Sequence, residues 1–165
     1  SRGLGDVYKR QGKNSMRDKI TAAMKTAMLD KEADRLATLR LINAAIKDRD
    51  IALRGEGNTD GVDDGAILGI LGKMVKQRQD SAQQYEAAGR TDLACRERFE
   101  IKVIEEFLPK QLSDDEVKAA VQRAVTSVGA ESIRDMGRVM GILKSNYAGQ
   151  MDFGKAGGAV KQLLG

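Results

Sequence analysis

The sequence predicts an all-α fold, and three observations carry that prediction. Aromatic residues make up only 4% of the 165 residues and there is a single proline. Ala, Leu, Lys, Arg, Glu and Gln, the strongest helix formers, are abundant. Apolar side chains recur at spacings of three and four, and few stretches alternate as a half-buried strand must. A chain of this length suffices for one domain or for two small helical units.

Residues 1–15, "SRGLGDVYKRQGKNS", precede the first helical pattern and show no period of their own. They hold +3 of the net charge of +4, which leaves +1 for residues 16–165. The pI near 9.2 therefore describes the leader more than the folded body. The leader reads as a non-native, disordered addition ahead of a start at Met16, with a native disordered arm as the alternative. From Met16, the residues Met16, Ile20, Met24 and Met28, with Ala27 beside them, form one apolar stripe. A second helix follows, with Leu36, Leu39, Ile42 and Ile46 on one face. Arg40, Asn43, Lys47 and Arg54 line another face at spacings of three, four and seven.

"RGEGNTDGVDDG", residues 54–65, reads as a flexible acidic loop from its glycines. It fails as a calcium loop: with Asp60 at the first ligand position, Val62 falls at the third and Leu71 where a bidentate Glu is required. Asp63 or Asp64 caps the next helix instead. That helix buries Ile67, Ile70, Leu71, Met74, Ala82 and Tyr85, with Arg78 on the same side. Lys73, Lys76, Gln77, Asp80, Gln83 and Gln84 spread over the rest. Gly89 stops it as the residue after the C-cap. Thr91 or Asp92 caps a fourth helix carrying Leu93, Ile101, Ile104, Phe107 and Leu108, which Pro109 ends.

The stretch "LPKQLSDDE" marks a boundary, with Ser113 and Glu116 in a capping-box arrangement after the proline. It separates an N-terminal helical subdomain, residues 16–108, from a C-terminal one, residues 113–165. The latter should hold three short helices. The first carries Val117, Val121, Ala124 and Val128 and stops at Gly129. The second opens at Ser132, and the third follows Asp152.

The composition excludes much chemistry. There is no histidine, which removes the commonest general base, imidazole metal ligands and His-activated nucleophiles. One cysteine, Cys95, can make neither an intrachain disulfide nor a structural zinc site, and it suits a reducing cytoplasm. No phosphate-binding glycine motif is present and no apolar run approaches the roughly 20 residues that span a bilayer. Intrinsic catalysis, a cofactor and a metal are not expected. What remains are surfaces. Arg40, Asn43, Lys47 and Arg54, and separately Lys73, Lys76 and Gln77, combine charge with amides as a phosphate- and ribose-contacting face requires, although ordinary solvated faces look the same from spacing. Gly137 and Gly141 permit close backbone approach, by a neighbouring helix or by a ligand.

Four stretches together, "LATLRLINAAIKDRDI", "KMVKQRQDSAQQYEAAGRTDLA", "FLPKQLSDDEV" and "DMGRVMGILK", resemble the GatB/YqeY family in its stand-alone YqeY-like form. They occur in that family's order, and the resemblance covers Met16 to Gly165. It implies a larger N-terminal helical subdomain and a small three-helix C-terminal one. The same module forms the C-terminal tail of the B subunit of the tRNA-dependent amidotransferase, where it engages the tRNA body. The positions that match the family's motifs are Arg40, Lys47, Lys73, Lys76, Gln77, Arg78, Asp135, Gly137 and Gly141. One departure is "KSNYAGQMD", which puts Gln150 where a basic residue is common, although Lys144 keeps one charge. The implied RNA-binding set is Arg40, Lys47, Lys73, Lys76, Gln77 and Lys144, with backbone approach at Gly137 and Gly141.

The expectation is a cytoplasmic, non-catalytic module that binds tRNA, accessory to glutamine-dependent tRNA amidation, with amidotransferase subunits as further partners and neither DNA nor membrane. The family label is a carbon–nitrogen ligase with glutamine as amido-N-donor. An amidotransferase-related subunit active only with partners is one alternative, and a protein–protein adaptor is another.

Overall fold

The first helix, α1 (Met16–Leu29), begins where Ser15 turns extended and its hydroxyl accepts the backbone N–H of Asp18. That bond satisfies one of the orphan donors of the first turn. Ser15, counted with the leader by the sequence, is thus the N-cap of α1. The computed structural model describes residues 15–165, so the rest of the leader lies outside the described residues. Ile20 and Ala27 are buried, but Met28 is 57% exposed and leaves the expected stripe. A strict four-residue repeat advances about 40° per step on a helix with 3.6 residues per turn. Met28 therefore lies about 120° around from Met16, while Ala27 returns to the buried side.

The turn into α2 (Ala33–Gly55) places Lys31 at φ 57. Glu32 N–H reaches the Ala27 carbonyl at 2.9 Å and Lys31 N–H reaches that of Met28 at 3.3 Å. These are the paired bonds of a Schellman ending, with lysine where glycine is usual. Helix α2 buries Leu39, Ile42 and Ile46, leaves Leu36 half-buried, and hides Thr38, whose hydroxyl donates to the Asp34 carbonyl at 3.1 Å.

Helix α3 (Asp64–Ala87) starts at the cap Asp63, whose carboxylate accepts from Ala66 N–H. The loop before it is less open than its glycines imply. Val62 is buried, its N–H donates to Asp50 Oδ1 at 2.9 Å, and its carbonyl accepts from Arg17 at 3.2 Å. Arg17 and Asp50 pair at 2.5 Å, so one ion pair clasps α1, α2 and the loop. Gly61 needs its left-handed φ of +85 here, and any Cβ would stand 3.0 Å from the Asp50 carboxylate.

Helix α3 buries Ile67, Leu71, Met74, Ala82 and also Val75, while Ile70 and Tyr85 are half-buried. Gly89 (φ 73) ends it, with Arg90 N–H on the Tyr85 carbonyl at 2.8 Å. Helix α4 (Thr91–Glu105) has Arg90, not Thr91 or Asp92, at its N-cap, and no side chain caps it. Asp92 lies inside the first turn and pairs with Arg90, which holds its carboxyl below the usual range. The helix stops at Glu105, before Phe107, Leu108 and Pro109. Backbone bonds from Glu106 to Val103 and from Phe107 to Ile104 tighten the last turn, because the residue before a proline avoids the helical region.

The helices sort into two compact units that divide between Phe107 and Leu108. In the second unit α5 (Asp114–Val128) opens with the full capping box of Ser113 and Glu116 and closes at Gly129 in the left-handed conformation. A 3-10 turn, Ile133–Asp135, leads into α6 (Met136–Asn146), and α7 (Phe153–Leu164) follows the cap Asp152. Ala120, Val121 and Ala124 of α5, Val139 and Leu143 of α6, Met151, and Ala156 and Val160 of α7 form its core. Among the described residues there are seven α-helices and no strand.

Two outcomes follow from this geometry. Lys31→Gly should raise stability by about 1 kcal/mol, read as an increase in melting temperature, because glycine enters the left-handed region without the Cβ penalty. Asp50→Asn should be less stable than the parent at neutral pH. The Arg17 hydrogen bond first, and the Val62 N–H second, hold the Asp50 carboxyl below its ordinary value. Its stabilisation is present above the unfolded carboxylate pKa of about 3.9 and is lost as pH falls through the lower folded value. The stability gap between parent and variant should therefore close in that acid window and stay constant above it.

Candidate nucleic-acid interface

The residues assigned to RNA by the sequence fall on three helices. Arg40 and Lys47 are exposed on α2. Lys73, Lys76 and Gln77 are exposed on α3, within about 100° of one another by helical spacing. Lys144, Gly137 and Gly141 are exposed on α6, in the second unit. Arg40, Lys47, Lys73 and Lys144 make no ion pair among the described residues, whereas Arg17, Arg35, Arg78 and Arg98 are all held by carboxylates.

Arg78 separates from its neighbours on α3. Its Nε donates to Glu100 of α4 at 2.8 Å and another guanidinium nitrogen donates to the Met74 carbonyl at 3.2 Å. Both side chains of the pair are about 15% exposed or less. This arginine braces α3 against α4 and is not offered to solvent. Asp135, another motif position, is equally structural. Its carboxylate accepts the N–H groups of Glu131 at 3.0 Å and Ser132 at 3.4 Å, which holds its carboxyl below the usual range. It thereby shapes the turn that launches α6.

The glycines carry the most information. Among the described residues, a Cβ built on Gly137 or Gly141 meets nothing within 4 Å, so neither lets a neighbouring described helix pack closely. The glycine that does so is Gly157 on α7, whose Cβ would sit 3.4 Å from the Met136 terminal methyl. Gly69 and Gly72 on α3 and Gly158 on α7 are open in the same way. Each is followed by a lysine one turn on: Gly69 by Lys73, Gly72 by Lys76, Gly141 by Lys144 and Gly158 by Lys161. A helical side chain leans toward the N-terminus over the preceding turn. Each lysine therefore reaches over a turn from which the side chain has been removed.

This recurrence escaped the sequence analysis, although its signal is legible. "MGRVMGILKS" (Met136–Ser145) and "FGKAGGAVKQ" (Phe153–Gln162) place glycine, cation, glycine and lysine at the same four positions. Both runs keep apolar residues on the buried side, so the repeat is one of solvent faces as well as of cores.

The molecule is an all-helical module whose candidate sites are outer helix faces, with no group of three His, Cys, Asp or Glu side chains placed to hold a metal among the described residues. The chain belongs to the YqeY-like family, whose model matches residues 17–164. It is similar to "Altered inheritance of mitochondria protein 41, mitochondrial" of Saccharomyces cerevisiae (strain YJM789), 27% identical over 117 residues, which is 67% of this chain and 61% of that protein. The protein of the same name from Lachancea thermotolerans is 30% identical over 107 residues, covering 64% of this chain and 55% of the relative. That from Meyerozyma guilliermondii is 39% identical over 85 residues, 52% and 42% respectively. The chain thus spans less than two thirds of the length of these curated relatives. Among the described residues no helix is long and apolar enough to cross a membrane.

Charge reversal should divide α3 cleanly. Arg78→Glu leaves two carboxylates facing each other across a half-buried contact and should lower the melting temperature markedly, as the loss of a buried pair partner does. Lys73→Glu/Lys76→Glu should melt close to the parent, since exposed lysines contribute little to folding. A double variant as unstable as Arg78→Glu would show that these lysines belong to the scaffold.

Proposed function

We propose that the chain is a non-catalytic module that binds tRNA through shape and charge, accessory to tRNA-dependent amidation. The observation that carries this reading is the set of open helical glycines beneath lysines. A mid-helix glycine costs about 1 kcal/mol relative to alanine. Gly69, Gly72, Gly141 and Gly158 recover none of that cost through packing, since among the described residues nothing lies within 4 Å of their built Cβ atoms. An external partner that approaches the backbone closely and carries negative charge accounts for both halves of the pattern. A phosphate–ribose backbone is such a partner, because phosphates take the lysines and ribose hydroxyls reach the bare helix surface.

The resemblance to the amidotransferase tail supports tRNA as the particular RNA, with RNA-binding residues Arg40, Lys47, Lys73, Lys76, Gln77 and Lys144 and amidotransferase subunits as further partners. The single exposed Cys95 suits a reducing compartment, and a cytoplasmic place belongs to the same reading. The relatives' names carry the word mitochondrial. The adaptor reading draws on a different observation, the exposure of Leu41 at 46% and Ile51 at 65% on the outer side of α2. Apolar side chains in that position serve a protein partner better than an RNA.

Binding of a folded tRNA, followed by filter retention at low salt, should be weak and should fall with salt at a log–log slope of roughly −2 to −3, treating the duplex-DNA coefficient as a guide. Lys73→Glu/Lys76→Glu should lose most of it. Gly141→Ala and Gly69→Ala should each stabilise the fold, by up to about 1 kcal/mol, while weakening the complex. Binding that is indifferent to all three variants moves the adaptor reading ahead.

A further inference from the structure

A cleft of about 540 Å³ opens between α2 and α4, lined by Asp34 and Ala37 on one side and by Cys95, Arg96, Phe99 and Glu100 on the other. Its size is in the range of small-ligand sites. Four features of the lining restrict the ligand. Phe99 is 41% exposed, so a flat apolar side chain is left partly in water at a cost. The Asp34 carboxylate makes no hydrogen bond or ion pair among the described residues, although its own backbone carbonyl is taken by Thr38. Glu100, by contrast, has one carboxylate oxygen taken by Arg78 at 2.8 Å, so it offers a ligand at most the other, whereas both oxygens of Asp34 are open. Arg96 touches Glu100 only at 3.9 Å and is 77% exposed, so its charge is directed outward at the rim.

A ligand that matches must offer a planar ring, a pair of N–H donors and a negative group. A simple cation satisfies Asp34 but is repelled by Arg96, and a simple anion does the reverse. A purine nucleotide has all three parts. Among the bases, guanine alone presents two adjacent donors, N1–H and the 2-amino group, spaced to meet both oxygens of one carboxylate. We propose that this cleft binds an unpaired guanine base, stacked on Phe99, with Asp34 accepting from its Watson–Crick edge and Arg96 near its phosphate. Recognition of unstacked bases by aromatic faces and edge contacts is the usual route to sequence selectivity in RNA. The base comes from a free nucleotide or from unpaired RNA; for the RNA source the inference rests on the tRNA-binding reading.

Cys95, the chain's single thiol, is exposed on the cleft wall and reports its occupancy directly. The rate of alkylation by N-ethylmaleimide is measured with increasing guanosine, adenosine, cytidine or uridine 5′-monophosphate. The guanine nucleotide should slow labelling in a saturable way and the other three should do so far more weakly. Asp34→Asn replaces one acceptor by a donor and should weaken the guanine effect by about tenfold, as for the loss of one bidentate base contact. Phe99→Leu keeps an apolar side chain but removes the ring, and should weaken protection by every base. Four indistinguishable nucleotides, or an unchanged guanine preference in Asp34→Asn, overturns the assignment. A short unpaired RNA with one guanine that protects at lower concentration than the mononucleotide identifies RNA as the source, whereas equal protection identifies the free nucleotide. Protection by the mononucleotide in a chain that retains no tRNA leaves the cleft standing and removes the tRNA reading. Retention of tRNA with a flat mononucleotide response does the opposite.

Discussion

The larger unit depends on how Asp50 is used. Its carboxylate takes Arg17 from α1 and the Val62 N–H from the loop, while Arg17 also holds the Val62 carbonyl. Three segments distant in sequence meet on one side chain, and the first residue of α1 adds a bond from its N–H to Asp64 at 3.2 Å. An eight-residue loop rich in glycine would otherwise leave the start of α3 without a defined place. Charge-assisted hydrogen bonds are stronger and more directional than neutral ones, so the clasp sets orientation as well as energy. Helix α3 then carries its lysines and glycines outward because its opposite side, from Ile67 to Ala82, is committed to the core.

A second brace acts at the other side of α3. The Arg78–Glu100 pair, with the added bond to the Met74 carbonyl, satisfies two half-buried charges that would be costly to leave alone. It also divides one cationic stretch into scaffold and surface. Lys73, Lys76 and Arg78 stand within six residues, yet Arg78 turns inward to a carboxylate and the lysines stay at the solvent face. The same arrangement occupies one carboxylate oxygen of Glu100 beside the adjoining cleft.

The open glycines run against stability. Helices α3, α6 and α7 each give up helix propensity at exposed positions where alanine would fit without any contact closer than 4 Å. Such sites are where local sequence preference and fold stability disagree, and functional surfaces are the usual reason for that disagreement. The small second unit bears this cost with a core built mostly from alanine and valine, together with Leu143 and Met151.

Helix number, the capping box at Ser113 and the glycine stops at Gly89 and Gly129 were legible in the sequence, because caps and breakers act through local backbone geometry. So was the inward side of α3, where the apolar period is strong enough to place Met74 and Arg78 together. Other features depended on neighbours. Met28 followed a repeat that drifts around the helix, and only the packed structure shows which part of the drift is covered. The acidic loop looked unanchored since its anchor, Asp50, lies in the preceding helix and its partner, Arg17, 33 residues earlier than that. The glycines on α6 allowed tight packing or open surface equally well until their surroundings were seen to be empty. Local hydrogen bonding and periodicity are encoded within a few residues, and these the sequence determined by itself. The solvent side of each helix, the partner of each charge and the cleft between α2 and α4 arise from contacts between residues far apart in the chain, and only the tertiary structure decided them.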